Sequence, residues 1–457
     1  MKVRLLACLL VGSVVASLSA QTCSNTSTNN RLICSVPQMY GPGGLTLPNN
    51  AHEAHFASSS LSAFRPLNTA IGEELSSLLL GSSGSGVSFT YDAKLQTSVS
   101  TEESFGPILT DRPETLGQKK IAVGVAYQYF GFGEIDGLHL DRLPAVLKHE
   151  VPPGSTPQKY QNDYLNTSNQ VTLNLHQVTI YGVFGVTRNL DVSIAVPIER
   201  VHLGVTSNAF IVRTQPCEFD HSCTDKGVGT DPAGNLCGEF HYFDASSCTA
   251  QFTSVSKTFQ DGGKSSGVGD LILRAKYALK GEKYAIAGGV DVRIPTGDAK
   301  NFLGAGAPGV TPYVTAAYKA RFSPHIRFGY EWNGDSVLAG NPTDATATSS
   351  SLPHEFLYSG GVDVWATRRI TIAADLLGQR VFDASRLKLG SYPDFFGNSV
   401  PDIQSYTGSY NSDSVALGAK ARLIGRLILT FNITKRADSG GLHANVVPLV
   451  GLSYSLR

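Results

Sequence analysis

Gly304-Ala305-Gly306-Ala307-Pro308-Gly309 spells G-x-G-x-x-G, the spacing with which a glycine turn cradles a dinucleotide pyrophosphate. That chemistry needs a strand before the glycines and a helix after them. Here a strand pattern follows, and Pro308 disturbs the turn. Gly263-Lys264-Ser265-Ser266-Gly267 spells G-x-S-x-G, yet a nucleophile elbow holds its serine on a strand-to-helix turn, and Ser265 leaves a polar stretch to enter a strand. His52-Glu53-Ala54-His55 brings two imidazoles and a carboxylate together. A zinc-protease helix spaces its histidines four apart rather than three. His176, His202 and His443 have no acidic or serine partner that the sequence assembles around them. No catalytic residue, metal or cofactor is therefore expected, and the chain does not read as an enzyme.

The elements that carry these residues alternate with period two. Val415, Leu417, Ala419, Ala421 and Leu423 are interleaved with Ser414, Gly418, Lys420 and Arg422. Leu427, Leu429, Phe431 and Ile433 are interleaved with Thr430, Asn432 and Thr434. From Leu442 to Leu456 every second residue is apolar or proline, so one strand is expected over 441–456. Strands with one apolar and one polar face are half-buried. Twelve are expected, at about 119–132, 170–186, 190–203, 267–280, 283–295, 310–322, 325–334, 355–366, 369–382, 413–424, 426–436 and 441–456. Their connections alternate between tight turns and long loops, the long ones at 133–169, 204–266, 296–309, 335–354 and 383–412. A transmembrane up-and-down antiparallel β-barrel, all-β in class, has this pattern, with its termini on the short-turn side.

The faces divide by charge as a barrel requires. Leu271, Leu273, Tyr277, Leu279, Tyr284, Ile286, Val290, Val292 and Ile294 suit lipid, and Phe328, Tyr330 and Trp332 suit an aromatic belt. Arg274, Lys276, Asp291, Arg293, Lys319, Arg321, Arg327, Glu331, Asp363, Asp375, Lys420 and Arg422 lie on the opposite faces. At the membrane midplane a charge facing lipid costs about 2–4 kcal/mol, so these residues are expected to line the lumen. They would serve as a selectivity lining, as cross-strand ion pairs filling a narrow barrel, or as both.

Three further segments are expected. Met1-Lys2-Val3-Arg4, the apolar run Leu5 to Val15 and the small residues ending at Ala20 predict an export signal over 1–20, cleaved after Ala20. Beyond it no apolar run reaches the roughly 20 residues of a membrane helix. Residues 21–117 form an N-terminal segment that can plug or hatch the lumen, with a helix over Leu61 to Leu80, and 118–457 form the barrel. Cys8 leaves with the leader, so Cys23, Cys34, Cys217, Cys223, Cys237 and Cys248 remain. An even count in an exported chain favours disulfides, and the spacings do not pair as zinc ligands. One bridge is expected near the mature N-terminus and two in the loop 204–266. With 37 basic and 37 acidic residues among 457, no nucleic-acid partner is expected.

The block Glu103-Ser104-Phe105-Gly106-Pro107-Ile108-Leu109-Thr110-Asp111-Arg112-Pro113-Glu114-Thr115-Leu116-Gly117 precedes the strand Ile121 to Phe132 and Glu134-Ile135-Asp136-Gly137. In it the chain resembles the outer-membrane barrel family described as "Putative MetA-pathway of phenol degradation", from about residue 65 to the C-terminus. The resemblance implies a Gram-negative outer-membrane location and passive uptake of small hydrophobic or aromatic solutes. Its partners would be membrane lipid, the solute and the barrel-assembly machinery during insertion, with no oligomeric state specified. One departure is the end, Tyr454-Ser455-Leu456-Arg457, which lacks the terminal aromatic that the insertion machinery reads. The alternative is a non-transporting barrel whose disulfide-stapled loop 204–266 binds a partner.

Overall fold

The computed structural model describes residues 22–23, 30–42, 44–47, 56–57, 64–77, 89–92, 97–100, 105–149, 162–213, 241, 243 and 255–456. The leader, the His52–His55 motif, Cys217, Cys223, Cys237, Cys248 and Arg457 lie outside them. None of the described helices is long and apolar enough to cross a membrane.

Twelve strands close on themselves: β1 Ile121–Ile135, β2 Tyr164–Gly185, β3 Leu190–Val212, β4 Leu271–Lys280, β5 Tyr284–Ile294, β6 Gly309–Tyr318, β7 Phe322–Asn333, β8 Glu355–Thr367, β9 Ile370–Pro393, β10 Ser399–Arg422, β11 Leu427–Arg436 and β12 Val446–Ser455. Each pairs antiparallel with its sequence neighbour, and β12 returns to β1 with Leu452 opposite Val125. The even alternation explains the closure. Ile286, Val314, Ile326, Ile372, Leu417 and Phe431 stand exposed on the outside, while Ala287, Thr315, His325, Ala373, Ala416 and Asn432 between them are buried within. Closure also removes every sheet edge along the apolar band.

Above that band the sheet continues where loops were expected. β2 and β3 stay paired up to Tyr164 and Val212, and a strand at Ser256–Val268 runs along β3 as an upward extension of β4. Residues 204–212 and 256–266 are therefore strand, not loop. Residues 383–412 are a paired β9–β10 arm with a register shift between Val381 and Ala384. Within 133–169, Leu143–Lys148 pairs with β2. On β2 and β3 the outward face turns polar there, because it no longer meets lipid, while Leu173, Leu203 and Val205 stay buried inside. The ladder continues, but the lipid-facing apolar row by which these strands are read stops.

The C-terminal stretch is likewise two strands rather than one. Leu442–Ala444 pairs with β1 through a register shift between His443 and Ala444, so Leu442 and Ala444 turn inward and are buried. β12 begins only at Val446, whose side chain faces out. A one-residue shift exchanges the faces.

The barrel interior is filled from the N-terminal side of the chain. Helix α1, Arg65–Ser77, buries Leu67, Ile71 and Leu75 and packs mainly against β9. With Ile33, Leu47 and Phe56 it forms one apolar cluster with Leu173, Leu203, Phe302 and Leu387. Cys23 and Cys34 are bridged within this cluster, as expected near the mature N-terminus. Residues 105–117 run across the interior at the short-turn end. They enter beside Gly185, where a Cβ would meet the Gly117 carbonyl oxygen at 1.8 Å. Gly185→Ala is expected to lower barrel stability by about 1–3 kcal/mol, as other overpacking changes do, measured as an earlier urea-unfolding midpoint.

Candidate lumen chamber

Parity alone turns the charged side chains of β4 to β8 inward, and once inside they can satisfy one another. Arg274 grips Asp291 with two hydrogen bonds of 2.6 and 2.7 Å, and Arg327 donates to the same carboxylate at 3.1 Å. Both guanidiniums lie over the Tyr313 ring, at 5.3 and 4.2 Å from its centre. Arg293 donates to Glu331 at 2.6 Å, to the Ala307 carbonyl and to the Ser76 carbonyl at the end of α1. Such bidentate and shared pairs repay desolvation only with good geometry and further hydrogen bonds, and these have both.

The segment 105–117 threads through the same charges. Asp111 lies 3.3 Å from Arg274 and 3.6 Å from Lys276, and it accepts a hydrogen bond from the Tyr313 hydroxyl at 3.1 Å. Burial would raise its carboxyl, but Lys276 and Arg274 prevail and hold it well below the usual carboxylate range. Lys276 donates to the Arg112 carbonyl at 2.6 Å, and Lys420 to the Pro107 carbonyl at 2.6 Å. Thr315 donates to the Asp111 carbonyl, and the Leu116 N–H donates to Asp191. Arg112 pairs with Glu114, which Lys319 approaches at 3.9 Å. The backbone of the segment, which has no ladder of its own, is thus satisfied by inward side chains of the barrel.

Between this segment and α1 lies a cavity of about 200 Å³. Arg274, Arg293, Arg327 and Arg436 line it together with Glu74, Asp111, Asp291 and Glu331. Its apolar walls are Leu109, Phe130, Ile272, Leu357, Leu377 and Val447. Four guanidinium groups face four carboxyl groups, so the chamber has polar edges.

Of the twelve residues singled out by parity, Arg274, Asp291, Arg293, Arg327 and Glu331 meet at the chamber, while Lys276 and Lys420 hold the segment below it. Asp363 and Asp375 flank His325, at 3.4 and 2.8 Å. Arg321 is exposed in the β6–β7 turn, and Lys319 and Arg422 are half-buried at the short-turn rim; none of the three lines the chamber. His325 was overlooked, although it shares the inward parity of Arg327 and Glu331 on β7. Asp111, Glu74 and Arg436 were also missed. For Asp111 the one available signal was its place in the family block.

Burial among apolar and acidic neighbours pushes Glu73 of α1 up to about 8 and Glu74 up to about 7, against the pull of the Tyr410 hydroxyl on the first and Arg436 on the second. A carboxyl whose folded value is raised stabilises the docked helix while protonated. That contribution is complete below about pH 4.5, the ordinary value, and is lost as pH rises through 7 and 8. Amide protection of α1 is expected to fall between about pH 5 and 8, and Glu73→Gln to flatten the fall. Hydrogen exchange on the folded barrel reads both.

Comparison with known proteins finds partial likenesses. A family model described as "Putative MetA-pathway of phenol degradation" matches residues 239–378, which hold β4 to β8 and part of β9. Among solved structures, the COG4313 outer membrane channel from Pseudomonas putida F1 is 14% identical at a TM-score of 0.39, covering 75% of this chain and 97% of that one. The NanC porin is 9% identical at 0.34, covering 74% and 100%. A Pseudomonas aeruginosa FadL homologue is 10% identical at 0.29, covering 74% and 89%. No curated protein matches the chain. The match over 239–378 makes this stretch of the closed twelve-strand barrel similar to that family.

Proposed function

We propose that the protein is an outer-membrane channel that passively admits small, hydrophobic or aromatic solutes through the chamber. The observation that carries this reading is the chamber itself, with apolar walls and charged edges, lying between residues 105–117 and α1. At about 200 Å³ it matches a single-ring compound better than a sugar chain or a folded peptide. Residues 105–117 act as the hatch on the short-turn side and α1 closes the loop side. Passage requires both to shift.

Uptake of a small phenol into proteoliposomes tests the reading. Ser359 lines the chamber, so Ser359→Trp fills it and is expected to cut the uptake rate at least tenfold while the folded barrel persists. Unchanged uptake would remove the chamber from the route.

A second reading, a non-transporting barrel that binds a partner through 204–266, draws on the closure by residues 105–117. It predicts no uptake by the wild type and none after the hatch contacts are cut.

A further inference from the structure

Inward arginines in this barrel end on an acceptor, whereas some cations on the outside, Arg200 and Lys264 among them, have none among the described residues. Arg200 and Lys264 are exposed and make no hydrogen bond or ion pair there. The register shows what surrounds them. Across β1, β2, β3 and the strand Ser256–Val268, one outward row reads Tyr127, Val178, Ile198, Val268. The next row up reads Tyr129, His176, Arg200, Ser266, and the one after it Gly131, Asn174, His202, Lys264. Directly opposed residues bring their Cβ atoms to roughly 5 Å, so Arg200, His202 and Lys264 share one patch.

This patch begins where the apolar band stops. Ile180, Ile194, Ile198 and Val268 below it are exposed to lipid, and every outward residue above it on these strands up to Asn208 is polar or glycine. Tyr127 hydrogen-bonds His176 at 2.8 Å and the Tyr129 ring lies 4.9 Å from the same imidazole, an aromatic cluster at the level of an interfacial belt. No outward position on the four strands carries a carboxylate. The nearest acid in sequence, Asp261, has the other parity and accepts from the Gly262 N–H.

We propose that Arg200, His202 and Lys264, with the Tyr127–Tyr129–His176 cluster beside them, bind a phosphorylated lipid headgroup of the loop-side leaflet. A phosphate there accepts charge-assisted hydrogen bonds from Arg200 and Lys264. The acyl chains lie down the apolar row beneath. Lys264 belongs to the Gly263–Gly267 stretch that spells a nucleophile elbow, and in this reading it serves a lipid rather than a reaction. The two cations in adjacent rows match a lipid whose headgroup carries two phosphates, and its acyl chains match the apolar row beneath.

The full-length barrel in maltoside micelles is titrated with bisphosphorylated lipid A, with the same lipid stripped of both phosphates, and with inorganic phosphate. Native mass spectrometry counts the lipid bound. One bisphosphorylated lipid per barrel is expected, with roughly tenfold weaker binding of the stripped lipid and no displacement by millimolar phosphate. The double variant Arg200→Gln, Lys264→Gln is expected to lose roughly tenfold as well, while Lys283→Gln, Arg321→Gln on the opposite rim loses nothing. Equal binding of the two lipids overturns the proposal without any variant. Displacement by inorganic phosphate, or an equal loss in the opposite-rim variant, overturns it too.

Discussion

Asp111→Asn is expected to open the barrel from its short-turn side. The substitution keeps the shape of the side chain and removes the charge that Arg274 and Lys276 share. Lys276 is 2% exposed, so its ammonium stays buried and loses the countercharge of Asp111 while keeping its hydrogen bond to the Arg112 carbonyl. Breaking a buried pair from one side costs about 3–5 kcal/mol, or roughly 10² to 4 × 10³ in the ratio of seated to unseated hatch. Single-channel recording in planar bilayers is expected to show openings at least tenfold more frequent than in the wild type. A second substitution, Lys276→Met, removes the stranded charge and is expected to restore much of the seating, since apolar replacement of a whole buried pair is often neutral. Two variants with wild-type conductance and an unshifted unfolding curve would show that residues 105–117 do not close the lumen. The double variant separates loss of seating from general damage, because a damaged barrel is not repaired by a further change.

How much of this was legible in advance depends on what each face of a strand meets. On β4 and β5, Leu273, Tyr277, Ile286 and Val292 point to lipid and Arg274, Lys276, Asp291 and Arg293 point inward, so parity alone separates wall from lining. The same rule loses its signal above the membrane. Ser405 and Thr407 of β10 pair with Leu387 and Ser385 in a regular ladder, yet apolar residues such as Leu387 and Ile403 are sparse there and the stretch reads as loop. At the other end of the scale, the 442–456 alternation is too regular. It runs across the register shift at Ala444 and makes two oppositely facing strands look like one. The hatch contacts were illegible for a different reason. Asp111 meets Lys276 across 165 residues of sequence, and nothing local marks a residue whose partner is chosen by barrel closure.

The loop-side closure rests on Arg293, and Arg293→Met is expected to release α1 as Asp111→Asn releases the hatch. Arg293 holds the Ser76 carbonyl at the end of the helix and neutralises Glu331, which is 5% exposed. Without it Glu331 is buried and unpaired beside Glu355, and the cost is again about 3–5 kcal/mol. Protection of α1 amides is expected to drop by about a hundredfold, while the backbone of 105–117 keeps its protection. The two substitutions act on different segments, 105–117 and α1, so their free energies are expected to add within about 0.5 kcal/mol. Because they lie in series on one path, opening requires both, and the conductance gains of the two variants then multiply rather than add. A combined Asp111→Asn, Arg293→Met barrel that conducts no better than the stronger single variant would mean that one closure alone gates the chamber. In that case α1 is a structural filler of the loop-side core, and the pH dependence carried by Glu73 and Glu74 concerns stability rather than passage.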